Sequence, residues 1–64
     1  MFRLIFVDSA NDKREIYVAE NNIAETFYNG KGTGRFFLRS EEVHDILQAK
    51  TEDEAFAVLE NIGK

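Results

Sequence analysis

"NNIAETFYNG", residues 21–30, is the stretch on which the fold of this 64-residue chain turns. Ile23, Ala24, Phe27 and Tyr28 recur at helical spacing, Asn22 stands where an N-cap side chain would, and Glu25 takes the third helical position of a capping box. Gly30 follows as a left-handed stop. The spacing predicts a helix of about two turns, one that needs tertiary packing because so short a helix is marginal in water.

On the N-terminal side, "FRLIFVD" (2–8) alternates with period two, setting Phe2, Leu4 and Phe6 against Arg3, Ile5 and Val7. "SANDK" (9–13) carries turn chemistry in Ser9, Asn11 and Asp12. "REIYVAE" (14–20) alternates again, Ile16 and Val18 opposed to Tyr17 and Ala19, so the two runs are expected to pair as an antiparallel hairpin. On the C-terminal side, "KGTG" (31–34) reads as a flexible link. "RFFLR" (35–39) reads as a third strand, with Phe36 and Leu38 on one face and Arg35, Phe37 and Arg39 on the other.

"SEEVHDILQAK" (40–50) opens on Ser40 as a cap, carries Glu41 and Glu42 where the helix dipole favours anions, and repeats apolar groups at Val43, Ile46 and Leu47. It reads as a helix, with a strand presenting Val43, Asp45, Leu47 and Ala49 as the alternative. In "TEDEAFAVLENIG" (51–63), Thr51 and Glu54 form a capping box, Ala55, Phe56, Val58, Leu59 and Ile62 make a wide apolar face, and Gly63 can terminate the helix. The apolar groups of the two segments would point roughly 130° apart on one straight rod, so two helices with a break near Lys50 are expected. The predicted order is strand, strand, helix, strand, helix, helix. Residues 1–64 thus form a single α+β domain of two layers, a three-stranded antiparallel sheet packed with helices.

A domain this small buries only about 60% of the surface its unfolded chain would expose. With no Cys, disulfides and Cys-containing zinc patterns are excluded. Six Phe, two Tyr and 44% apolar residues nevertheless supply a core and argue against disorder. Net charge is −4, unevenly spread: residues 1–39 hold six basic and five acidic groups, residues 40–64 two basic and seven acidic. The basic excess that neutralises phosphates is missing, which disfavours nucleic acid as the partner. No apolar run reaches membrane-span length or forms a secretory signal, and the chain is expected to be soluble and cytoplasmic.

"GKGTGR" (30–35) invites a phosphate-binding reading and fails it. The P-loop requires an upstream glycine and a hydroxyl after Gly-Lys, where Gly32 stands; the dinucleotide fingerprint requires a glycine where Arg35 stands. Lys31, Gly32 and Gly34 echo an RNA-recognition signature, but Thr33 and Arg35 hold the places of its stacking aromatics. The plainer reading is a glycine-rich entry into a strand. Catalysis lacks an inventory too: Ser9 or Ser40 would depend on the sole histidine, His44, and the neighbouring carboxylates sit on exposed helix starts without an apolar pocket. His44 with Glu41 is an incomplete metal shell. No catalytic residue, metal site or cofactor is assigned.

The remaining signal lies on the sheet. If Phe2, Leu4, Phe6, Ile16, Val18, Phe36 and Leu38 face the helices, the opposite face shows Ile5, Val7, Tyr17 and Phe37, fringed by Arg3, Arg35 and Arg39. That is too apolar for a solvated face. Either the short helix near Phe27 and Tyr28 covers it, or a protein partner or an identical subunit does, since Tyr, Phe and Arg are enriched at interface hot spots. The expected partner-binding residues are Tyr17, Phe37, Arg35, Arg39, Ile5 and Val7. The acidic groups Glu41, Glu42, Asp45, Glu52, Asp53, Glu54 and Glu60 form a second candidate surface, for a basic partner or as a mimic of DNA charge. The sequence thus points to a small noncatalytic protein acting by protein–protein contact, a regulator, inhibitor or adaptor with the size and composition of small accessory proteins of phages and mobile elements. The alternative is single-stranded nucleic-acid binding along Lys31, Arg35, Phe37 and Arg39.

Overall fold

Asn29 has φ 50° and Gly30 φ 87°, and this pair of positive angles overturns the helical reading of residues 23–29. Positive φ at both central residues of a two-residue loop is the type I′ hairpin turn, whose twist matches that of the strands it joins. In the computed structural model, which describes residues 1–62, β3 (Ile23–Tyr28) runs into this turn and β4 (Lys31–Phe37) runs out of it, with Tyr28 opposite Lys31. Together with β1 (Phe2–Val7) and β2 (Lys13–Val18) they form a four-stranded antiparallel sheet in the order β1-β2-β3-β4. Two helices follow, α1 (Ser40–Gln48) and α2 (Glu52–Ile62). The predicted three-stranded sheet is therefore corrected to four strands, and the order to ββββαα.

The residues expected to start a helix do something else. Asn22 has φ 61°, which an N-cap residue in the extended region cannot have. Its N–H donates to the Ala19 carbonyl, while the Ala19 N–H donates to the Ile23 carbonyl. The β1–β2 loop repeats this geometry. Asn11, φ 66°, donates to the Asp8 carbonyl, and the Asp8 N–H donates to the Asp12 carbonyl. Both are three-residue hairpin loops ending in a left-handed residue, and Asn is among the few side chains that tolerate that region. Residues 23–28 then pair on both sides as an inner strand, which suits Ile23, Thr26, Phe27 and Tyr28, all β-branched or aromatic.

Every strand offers one face to the core. Ile16, Val18 and Ala24 are buried with Leu38 against Ile46 of α1 and Ala55 and Leu59 of α2; Phe2, Leu4, Phe6, Phe36, Val43, Phe56, Val58 and Ile62 pack around them. The inward set expected for strands 2–8, 14–20 and 35–39 is the observed one. Opposite Thr26 the register slips, leaving Thr33 as an extra residue between Gly32 and Gly34. Its hydroxyl lies 2.7 Å from that of Thr26, and a Cβ on Gly34 would come within 3.3 Å of that same hydroxyl.

Residues 40–48 are helical, which excludes the strand alternative. Ser40 is the first helical residue rather than the cap; Arg39 takes the cap position, and its N–H donates to Glu42 Oε1 at 2.6 Å. Thr51 does cap α2, its Oγ1 accepting the Glu54 N–H, while the Glu54 carboxylate reaches one residue further back, to the Lys50 N–H. The expected stop at Gly63 lies outside the described residues. Across the layers, the Arg14 guanidinium sits 3.9 Å from the Phe56 ring centroid and bonds Glu52 at 3.0 Å, fastening β2 to α2.

Gly30 and Gly32 separate backbone from packing, because a Cβ at either meets open space but only Gly30 has positive φ. Gly30→Ala is expected to lower stability by about 1–2 kcal/mol, whereas Gly32→Ala is expected to be neutral or to raise it by up to about 1 kcal/mol. Urea midpoints at unchanged slope check both.

Candidate interaction face

The sheet face turned away from the helices carries four rows of side chains set by the register. Arg3, Tyr17, Glu25 and Arg35 form a row across all four strands. Beside it run Ile5, Glu15, Phe27 and Gly32, and beyond these Val7 opposite Lys13. On the other flank Ile23 faces Phe37. The helices pack on the opposite side, so the large apolar groups here stay in solvent: Phe37 is 73% exposed, Val7 58% and Ile5 52%. The internal cover considered for this face does not exist, since residues 23–28 are part of the sheet.

Five of the six expected binding residues lie on this face. Ile5 and Val7 stand together on β1; Tyr17 is half-buried in the middle; Arg35 and Phe37 stand on β4. Arg39 has left the sheet and caps α1, 4.0 Å from Glu41. Phe37 and the Ile5–Val7 pair occupy opposite corners, with the Arg3–Tyr17–Glu25–Arg35 row between them. Glu15 also belongs to the face, as do Ile23, Glu25 and Phe27, which are invisible to a reading that places 23–28 in a helix. The Asn-Gly dipeptide that follows residues 23–28 was the available signal.

The face's cations already have carboxylate neighbours. Arg3 Nε lies 3.9 Å and Lys13 Nζ 4.0 Å from Glu15, and Arg35 lies 3.8 Å from Glu25, while the Arg3 guanidinium is 5.4 Å from the Tyr17 ring centroid. These are long, solvent-exposed pairs that add little stability but hold the charge balance of the face near neutral.

The second candidate surface is partly used internally. Glu42 and Glu54 bond backbone N–H groups at the helix starts, and Glu52 holds Arg14. His44 Nε2 lies 3.3 Å from Gln48 Nε2, and among the described residues no three His, Cys, Asp or Glu side chains gather as a metal site. A groove of about 290 Å³ opens between α2 and the bulged end of the sheet, lined by Arg14, Thr26, Thr33, Phe36, Phe56, Leu59 and Glu60. Its two threonine hydroxyls bond each other. No helix among the described residues is long and apolar enough to cross a membrane.

No protein family, curated protein or solved structure matches this chain. The reading of the face therefore rests on its own geometry.

At the turn end of the sheet, Asn29 ties two hairpins together: its Oδ1 accepts the Lys13 N–H and its Nδ2 donates to Asp12 Oδ1. Asp12 also sits beside Tyr28, where its carboxylate repels a phenolate; desolvation, a hydrogen bond to Asp12 and the charge of Asp8 push the same way, against the opposing pull of Arg14. The Tyr28 phenol thus ionises above its ordinary 10.0. In a Tyr17→Phe chain, ultraviolet titration of the remaining tyrosine should give a midpoint above 10.0, and adding Asp12→Asn should bring it down. Because the folded state holds this proton longer, the associated stability is full below pH 10 and is lost as pH rises through the folded value.

Exposure makes Phe37 a clean probe. Phe37→Asp should cost less than about 1 kcal/mol of stability, while Ile16→Ala in the core should cost about 2–5 kcal/mol, most of what a chain this size has. Urea denaturation of both variants tests the assignment of the two faces.

Proposed function

We propose that this is a small noncatalytic protein that works by binding another protein through the outer sheet face, in the manner of a regulator, inhibitor or adaptor. The observation that carries this reading is the uncovered face itself, with Phe37, Val7 and Ile5 in solvent while both helices pack on the other side. Monomeric proteins seldom leave a sheet face this apolar without a use for it. Half-buried Tyr17 and Phe27 offer rigid aromatic anchors, and Arg3 and Arg35 are side chains of the hot-spot type. Glu15 and Glu25 standing among the cations favour a partner with charges of both signs.

The same arrangement weighs against the strand of Lys31, Arg35, Phe37 and Arg39 as a single-stranded nucleic-acid track. Arg35 and Arg39 each have a carboxylate within 4.0 Å, and a phosphate would have to displace it. Gly32, Thr33 and Gly34 leave the middle of that strand without a stacking aromatic.

The test is retention of a partner from a lysate of the protein's own cells on immobilised wild type, Phe37→Asp and Tyr17→Ala chains, followed by affinity measurement with the purified partner. A partner bound through this face should stay on the wild type in about 0.5 M salt, where exposed charge pairs are screened. Each variant should weaken it by about 30-fold or more, as loss of a hot-spot aromatic does. A partner that binds all three chains equally, or tight single-strand binding that collapses with salt, would overturn the reading.

A further inference from the structure

The sheet ends in two edges of different character. Along β4 the strand is bulged at Thr33, weakened by Gly32 and Gly34, and carries Lys31 and Arg35. Bulges and charges of this sort are the usual means by which an edge is kept from pairing with another chain. Along β1 only one charge is present. Phe2–Val7 contains no glycine, proline or bulge and has a single charge, Arg3; among the described residues β2 is its one neighbour, and no turn, loop or helix backbone bonds to residues 2–7. Phe2, Leu4 and Phe6 on its inner face are only half-buried, at the margin of the core.

We propose that the β1 edge pairs antiparallel with β1 of a second copy, joining two four-stranded sheets into one of eight strands. An open row of backbone donors and acceptors calls for an extended strand, and the pattern of β1 complements itself. Residues directly opposite in an antiparallel pair lie on the same face, which requires an even-to-even and odd-to-odd register. Three such registers come into question: those centred on Leu4 and on Ile5 keep five of the six residues of β1 paired, and the one centred on Arg3 keeps three. The register that sets Arg3 opposite Arg3 of the second copy opposes like charges, and the one centred on Ile5 sets Phe2 opposite Asp8. The register centred on Leu4 avoids both. It places Leu4 against Leu4, Phe2 against Phe6 and Arg3 against Ile5 of the second copy, so that the half-buried inner-face groups cover one another. The proposal does not depend on the outer face binding a foreign partner: the pairing uses the edge and leaves Phe37 free.

Sedimentation should give a mass of twice 7.4 kDa for the wild type, falling towards 7.4 kDa on dilution. Ile5→Lys puts a cation opposite Arg3 of the second copy at two symmetric places, while within its own chain it faces Glu15, so the chain should stay folded and dimerise about 10-fold more weakly. Because the natural chain has no Cys, crosslinking reports the register directly. Opposite residues have Cα atoms about 4.5–5.5 Å apart, within disulfide range, so oxidising a mixture of Arg3→Cys and Ile5→Cys chains should give the mixed dimer in preference to either homodimer. Phe37→Asp should leave the dimer unchanged, which separates a failure of this proposal from a failure of the outer-face reading. A wild type that stays monomeric up to about 1 mM would overturn it. So would a dimer that survives Ile5→Lys but dissolves with Phe37→Asp, or one whose mixed cysteine chains do not crosslink preferentially.

Discussion

The whole arrangement depends on three asparagines held with positive φ. Asn11, Asn22 and Asn29 each end or begin the reversal between consecutive strands, and each does so in the left-handed region that β-branched and most other side chains avoid. In a meander the turn geometry and the apolar alternation together set the register, and the bulge at Thr33 shifts it once between β3 and β4. Asn29 contributes twice, since its side chain also bonds Lys13 and Asp12 and so ties the last hairpin to the first. A one-residue slip at a turn would send the inward side chains of one of its two strands to solvent: Ile16 and Val18 at the first turn, Ala24 at the second, Phe36 at the third.

Those turns also explain what could be read in the sequence. The first two strands, the inward set of Phe2 to Leu38 and both helices were legible, because each shows a clean period or a capping pattern. Residues 23–28 were not. Ile23, Ala24, Phe27 and Tyr28 satisfy a helical spacing, and in a strand the same four fall as two on each face, so the apolar positions alone do not choose. The deciding information is conformational. Asn22 reads as a helix cap or as a left-handed turn residue, Gly30 as a helix stop or as the second residue of a type I′ turn, and the two readings share the same letters. Asn directly before Gly favours the hairpin, and six residues gain more by pairing on both sides than by forming two unsupported helical turns.

The candidate site was legible to the extent that the strands were. Ile5, Val7, Tyr17, Arg35 and Phe37 reach the outer face because the alternation of their strands was evident, and Arg39 misses it because the chain turns into α1 two residues after Phe37. What the missing strand concealed is the mixed character of the surface. With β3 in place, Glu25 joins Glu15 among the arginines, and Phe27 and Ile23 link corners that otherwise look separate. In the proposed binding role, such a face would discriminate by charge register as well as by apolar contact.

The bridge between Arg14, Phe56 and Glu52 has a consequence for folding. Each strand pairs with the next along the chain, so the sheet assembles through short loop closures, which carry little entropic cost. Fastening α2 to β2 is different, because it joins residues about forty positions apart. Closing that loop costs more chain entropy than any of the hairpin turns, and a sheet without its helices would present Ile16 and Val18 as a second apolar surface. The Arg14 guanidinium over the Phe56 ring, with Glu52 beside it, holds in place the helix that covers that surface.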